Sequence, residues 1–130
     1  MDGLHDTNEE PREAISVGEW KSFLRDFVER NKDRRSRFDI FRENGSTEEE
    51  GIEAHLEEII YKNDGNSKNV EVIRIDKSNN KSEEVRVAIT NLRGISVQYD
   101  TDGSEDVLEF IDNQNTLISL RFESKVDGVS

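Results

Sequence analysis

The chain contains no cysteine. A disulfide framework, a thiolate nucleophile and any cysteine-held zinc or iron–sulfur site are therefore excluded. Histidine is nearly as scarce, since His5 and His55 are the only two, too few for a histidine-rich metal centre. No window approaches the roughly 18 apolar residues that a spanning helix needs. The start Met1-Asp2-Gly3-Leu4 has neither the basic nor the apolar part of a secretion signal. These shortages read as a soluble, cytoplasmic protein without a membrane partner. Apolar residues make up 32% of the chain, about 38% with the eight glycines, against about 45–50% in ordinary globular domains. Part of the chain should lie outside the core.

What is abundant is acid. Thirty acidic residues against 18 basic ones leave a formal charge of −12 over 130 residues. Long-range repulsion opposes binding to nucleic-acid phosphates and anionic lipid, and the charge is compatible with a basic protein partner, nucleic-acid mimicry or plain solubility. The length fits a single domain.

Residues 1–14 are polar and carry the only proline, Pro11, so they read as a flexible acidic tail. From Ser16 the pattern changes. Trp20, Phe23, Leu24, Phe27 and Val28 recur at the spacing of one face of a helix, predicted to run from about Val17 to Asn31. Ser16 and Glu19 have the spacing of a capping box, in which each side chain accepts a backbone N–H at the helix start. An aromatic stripe of this period is better explained by burial against a sheet than by partner binding. The run Arg30 to Arg37, with five basic residues in eight, is the one local reversal of charge. It reads as a cationic helix end followed by a solvated loop, because no aromatic residue interleaves to stack on bases.

The remainder alternates with period two. Phe38 and Ile40, Val85 to Ile89, Ile95 to Tyr99, and Ile118 to Phe122 each set apolar residues on one face, as half-buried strands do. Turn residues at Asp64-Gly65, Ser78-Asn79-Asn80, Asp102-Gly103 and 112–115 separate the apolar runs, so the last three strands read as an antiparallel meander. Residues 47–62 are ambiguous. Ile52, Leu56, Ile59 and Ile60 keep helical spacing, whereas Gly51 and the likeness of Ile59-Ile60-Tyr61 to Val70-Glu71-Val72-Ile73 across a turn argue for a hairpin.

Three segments resemble a family of short bacterial and archaeal proteins classed as a domain of unknown function. They are Glu19-Trp20 through Phe23 to Phe27, Leu56 to Ile59 leading to the strand Val70 to Ile75, and Val107 to Ile111 through Thr116 and Leu117 to Phe122. The resemblance spans most of residues 15–123 and implies an N-terminal helix followed by a β-rich body, which favours a strand over Leu56 to Lys62. It implies no activity. The chain departs from that pattern in longer polar insertions around 44–50 and 78–84 and in its acidic N-terminus. Together these features give an α+β expectation: an N-terminal amphipathic helix packed on a curved, mostly antiparallel sheet of about six to seven strands. The domain would occupy 15–124, with a C-terminal tail at 125–130.

No segment carries a signature of chemistry. Asp100 to Asp106 spaces carboxylates as calcium loops do, but an EF-hand frame from Asp100 puts Glu105 where glycine is required and Ile111 where the bidentate Glu belongs. It reads as a type I′ or bulged hairpin turn with weak calcium affinity at most. No serine elbow, phosphate loop or dinucleotide loop occurs. His55 reads as a residue at a loop-to-strand junction or on a solvated face. No catalytic, cofactor-binding or metal-ligating residue is nominated, and no cofactor. The preferred reading is a non-catalytic protein-interaction module, with an unknown protein partner or self-association and no nucleic-acid or membrane binding. The alternative is a small-ligand-binding domain, or an enzyme whose site is built from scattered residues of the curved sheet.

Overall fold

A computed structural model describes residues 12–123. Val17–Glu19 form a single 3-10 turn that leads into α1, Trp20–Asn31, the one α-helix among the described residues. Among the described residues nine strands make up one sheet: β1 Arg12–Ala14, β2 Arg35–Phe41, β3 Thr47–Glu49, β4 Ala54–Asn63, β5 Lys68–Asp76, β6 Glu83–Ile89, β7 Leu92–Tyr99, β8 Glu105–Asp112 and β9 Leu117–Phe122. Their order is β1-β7-β8-β9-β2-β4-β5-β6, with β3 attached to β2, and every pairing is antiparallel. The fold is α+β. Nine strands replace the expected six to seven because β1 and β3 are three residues long and exposed throughout, so neither can show an alternating pattern. Residues 12–14, assigned by composition to the tail, belong to the sheet through Arg12↔Gln98 and Ala14↔Ser96. The rest of that expected tail, 1–11, and the C-terminal tail lie outside the described residues.

The stripe on α1 is the centre of the core. Trp20, Leu24 and Phe27 are buried among Leu108, Phe110, Leu120 and Phe122 from one half of the sheet and Leu56, Ile59, Val70 and Val72 from the other. The Phe27 ring lies 5.5 Å from Phe122, and Trp20 meets Tyr61 edge-on at 6.2 Å. Helix start and strand ends also bond directly. The Trp20 indole donates to Ile15 O at 2.9 Å, which fixes the approach of the chain from β1. The capping box does not form. Ser16 makes no side-chain cap, because its carbonyl instead accepts Glu19 N–H at 2.8 Å, closing the 3-10 turn. The helix ends on a buried amide: Asn31 donates to Phe27 O and to Glu105, while accepting from Arg34.

Residues 47–62 resolve against the helical spacing. Ile59, Ile60 and Tyr61 pair with Val72, Glu71 and Val70, with a register shift between Leu56 and Glu58. The shift explains the misleading period, since one extra residue moves Leu56 and Ile59, three apart, onto the same buried face. The turns follow one recipe. Around 42–46, 100–104 and 112–116 a backbone pair joins first and fifth residues, and Gly45, Gly103 and Asn115 occupy the left-handed position at φ 91°, 88° and 60°.

The short strand β1 is held at its ends, where Arg12 pairs with Glu109 at 2.9 Å and the Tyr99 hydroxyl donates to Glu13 at 2.8 Å. Burial, and then that hydrogen bond, push the Tyr99 hydroxyl up to about 12. A tyrosine raised on folding adds stability that is complete below its unfolded value, about 10, and is lost as pH rises through 12. A component of the tyrosinate absorbance is therefore expected to titrate near 12 and to move down in Glu13→Gln. Ionisation complete by about pH 11 would contradict it.

Candidate functional site

Curvature brings the β6 end of the sheet toward its middle strands. Strand order puts β4 and β5 between β2 and β6, yet Val87 of β6 lines the same cleft as Phe38 and Ile40 of β2 and Ile118 of β9. The cleft has a volume of about 420 Å³, an apolar floor and an acidic side formed by Glu48, Glu49 and Glu50. Alternation accounts for the floor. Ile40 pairs with Ile118 and Phe38 with Leu120, so apolar side chains of β2 and β9 share the concave face.

Below the floor lies Arg74, a charged side chain at 0% exposure. Its guanidinium stacks on the Phe38 ring at 4.7 Å and donates to Ser36 O at 3.1 Å and to Glu50 at 2.5 Å. Glu50 in turn clasps Phe38. Its N–H donates to Phe38 O at 2.8 Å, and its carboxylate accepts Phe38 N–H at 3.0 Å. Glu48 stands opposite Ile40 on the cleft face and pairs with Arg42 at 2.8 Å, whereas Glu49 stands opposite Asp39, on the other face of the sheet. Glu83 shares a strand face with Val85 and Val87 by the period of two and has no ion-pair partner among the described residues. The sequence carried a signal for Arg74 that went unused: it follows Val70 and Val72 at the same period, a charge placed on the buried face of a strand.

Features singled out in the sequence sit elsewhere, and each is occupied. In the basic run, Arg30 pairs with Glu105 at 2.7 Å, Lys32 with Glu57 at 3.9 Å, Arg35 with Glu123 at 2.5 Å and Arg37 with Asp39 at 3.6 Å. The hydrogen bond to Glu105 raises the Arg30 pKa, and burial lowers that of Arg34, which donates to Glu105 O and Glu123 O. The run is thus stitched to β8, β9 and their ends instead of forming an open cationic face. Around 100–106 the carboxylates close their own turn. Asp102 accepts from Ser104 N and Oγ, which holds its pKa down, and Asp100 accepts from Thr101 N. Burial, with Asp100 nearby, pushes the neighbouring Asp106 up. Among the described residues no group of three or more histidines and carboxylates is placed to hold a metal, and no helix is long and apolar enough to cross a membrane. His55 opens β4, with Nδ1 2.9 Å from Asp33 O.

Two other grooves are better neutralised. Between α1 and β4, a groove of about 480 Å³ sets Lys21, Arg25 and Lys32 against Glu29, Glu57 and Glu58. Beside Arg35, a groove of about 440 Å³ includes Glu53, His55, Asp76 and Lys77. Neither combines an apolar floor with charge of a single sign. The chain matches no protein-family model, no curated protein and no solved structure.

Proposed function

We propose that the chain is a non-catalytic interaction module that takes a basic segment of a protein partner on the cleft floored by Phe38, Ile40, Val87 and Ile118. The observation that carries this reading is the pairing of that apolar floor with glutamates of one sign in a chain of charge −12. Apolar area supplies affinity, and the acids steer a cationic partner and select against anionic ones. The polar groups of the cleft support binding over catalysis because they are committed to one another: Arg74 to Glu50 and Ser36, and Glu48 to Arg42. A nucleophile or general base needs a free functional group within reach of a substrate. The resemblance to the small domain-of-unknown-function family, and a cytoplasmic location, belong to the same proposal.

The test is fluorescence anisotropy at about 150 mM salt with a labelled Val-Thr-Val-Lys-Lys-Lys peptide, its Glu-for-Lys counterpart and a mixed-sequence oligonucleotide. The lysine peptide is expected to bind with a Kd in the micromolar range, and the two anionic probes are not. Reversing Glu48 and Glu83 to lysine should weaken that binding by at least about tenfold. Equal binding of both peptides, or indifference to the double reversal, would sink the reading.

A further inference from the structure

The strand order ends in β1 and β6, and these two terminal strands are protected very differently. At one, β1 offers three residues, and its side chains are tied to Glu109 and Tyr99. At the other, β6 offers seven, Glu83–Ile89, paired only with β5. Among the described residues no backbone group bonds to its other side. In an antiparallel strand every second residue turns its N–H and C=O away from the existing neighbour, so this edge presents a row of unsatisfied donors and acceptors. Short edge strands are the usual protection against strand addition, and β1 has that protection where β6 does not.

The long edge also borders the cleft, since Val87 belongs to both. We infer that the basic segment binds as an additional antiparallel strand on β6, completing the sheet at the cleft. This inference rests on the function proposed above and specifies its geometry. A strand added about 4.8 Å beyond β6 would place inward apolar residues opposite Val85 and Val87, over Phe38, Ile40 and Ile118. An inward lysine or arginine opposite Glu83 would meet that carboxylate on the same strand face. Main-chain bonds then supply sequence-tolerant affinity, and the alternating side chains supply preference.

Charge selects this occupant over a second copy. Two copies would each bring −12 to the interface. Antiparallel self-pairing centred on Arg86 would set Arg86 against its own mate, and like charges directly opposite are destabilising. Centred on Val85, it would compete for Arg86, which Glu84 and Glu71 already hold. A basic strand meets no such conflict and finds Glu83 uncompensated on the face that carries Val85 and Val87.

The discriminating probes are three versions of the Val-Thr-Val-Lys-Lys-Lys peptide, whose first, third and fifth residues share one face: the parent, and two N-methylated at alternate residues in opposite phase. Strand addition predicts that one phase loses at least about tenfold in affinity while the other binds as the parent does, because only one set of N–H groups faces β6. Amide exchange should slow at alternate residues of Glu83–Ile89 in the complex and stay unchanged in β1. Parent-like binding of both phases with unaltered β6 exchange would overturn strand addition and leave the cleft reading standing. Failure of the parent to bind would remove both. Sedimentation of the free protein as a dimer with β6 amides already protected would overturn it in favour of self-pairing.

Discussion

Replacing Arg74 with alanine is expected to lower the stability of the fold by about 3–5 kcal/mol, the usual penalty for removing one partner of a buried ion pair. The arginine is wholly buried, bonded to Glu50 at 2.5 Å and stacked on Phe38. Its loss would strand the Glu50 carboxylate, itself only 19% exposed, and uncover the Ser36 carbonyl. Replacing both charges together should cost less than replacing one. Arg74→Met combined with Glu50→Gln keeps the volume and an acceptor for Phe38 N–H, and is expected to recover most of the loss. Urea denaturation of the three proteins checks the order. A single-variant loss below about 1 kcal/mol would mean that the pair does little to hold β5 to β2.

Phe27→Ala should be comparably severe, at about 3–5 kcal/mol, by a different route. Here nothing polar is stranded. The ring is fully buried, 5.7 Å from Phe23 and 5.5 Å from Phe122, so truncation opens a void between helix and sheet that neighbouring strands cannot close without breaking register. Unfolding followed by tryptophan fluorescence is a suitable measurement, because Trp20 sits in the same cluster. A cost under about 1 kcal/mol would show that the ring is not packed in solution.

Where the sequence was informative, it was so through periodicity. The helix stripe from Trp20 to Phe27 and the alternations in β6, β7 and β9 express the requirement that one face be buried, a requirement each segment carries locally. Three-residue strands such as β1 and β3 carry no period, and what pairs them lies outside themselves: Gln98, far along the chain, for Arg12, and the 42–46 turn that folds Thr47 back onto Phe41 for β3. The register shift after Leu56 imitated a helix because one inserted residue converts a step of two into a step of three. The cleft lay further out of reach. Phe38, Val87 and Ile118 meet only because the sheet curves, and curvature is a sum over many strand pairs that no window of sequence contains. Glu48 to Glu50 were legible as acids but not as the side of a cleft. The long edge of β6 could not be known before the strand order was.

That order also sets a timetable. Ser36 pairs with Phe122, so β2 emerges from the ribosome roughly 80 residues before β9 and waits several seconds for it at synthesis rates of about 5–20 residues per second. Strands β4, β5 and β6 are consecutive in the chain as well as in the sheet and can join as they appear. Until β9 arrives, Phe38 and Ile40 have no floor to complete, and the nascent chain exposes the apolar face that later lines the cleft. The acidic excess then serves the protein before it is folded, because mutual repulsion keeps neighbouring unfinished chains apart while β2 waits.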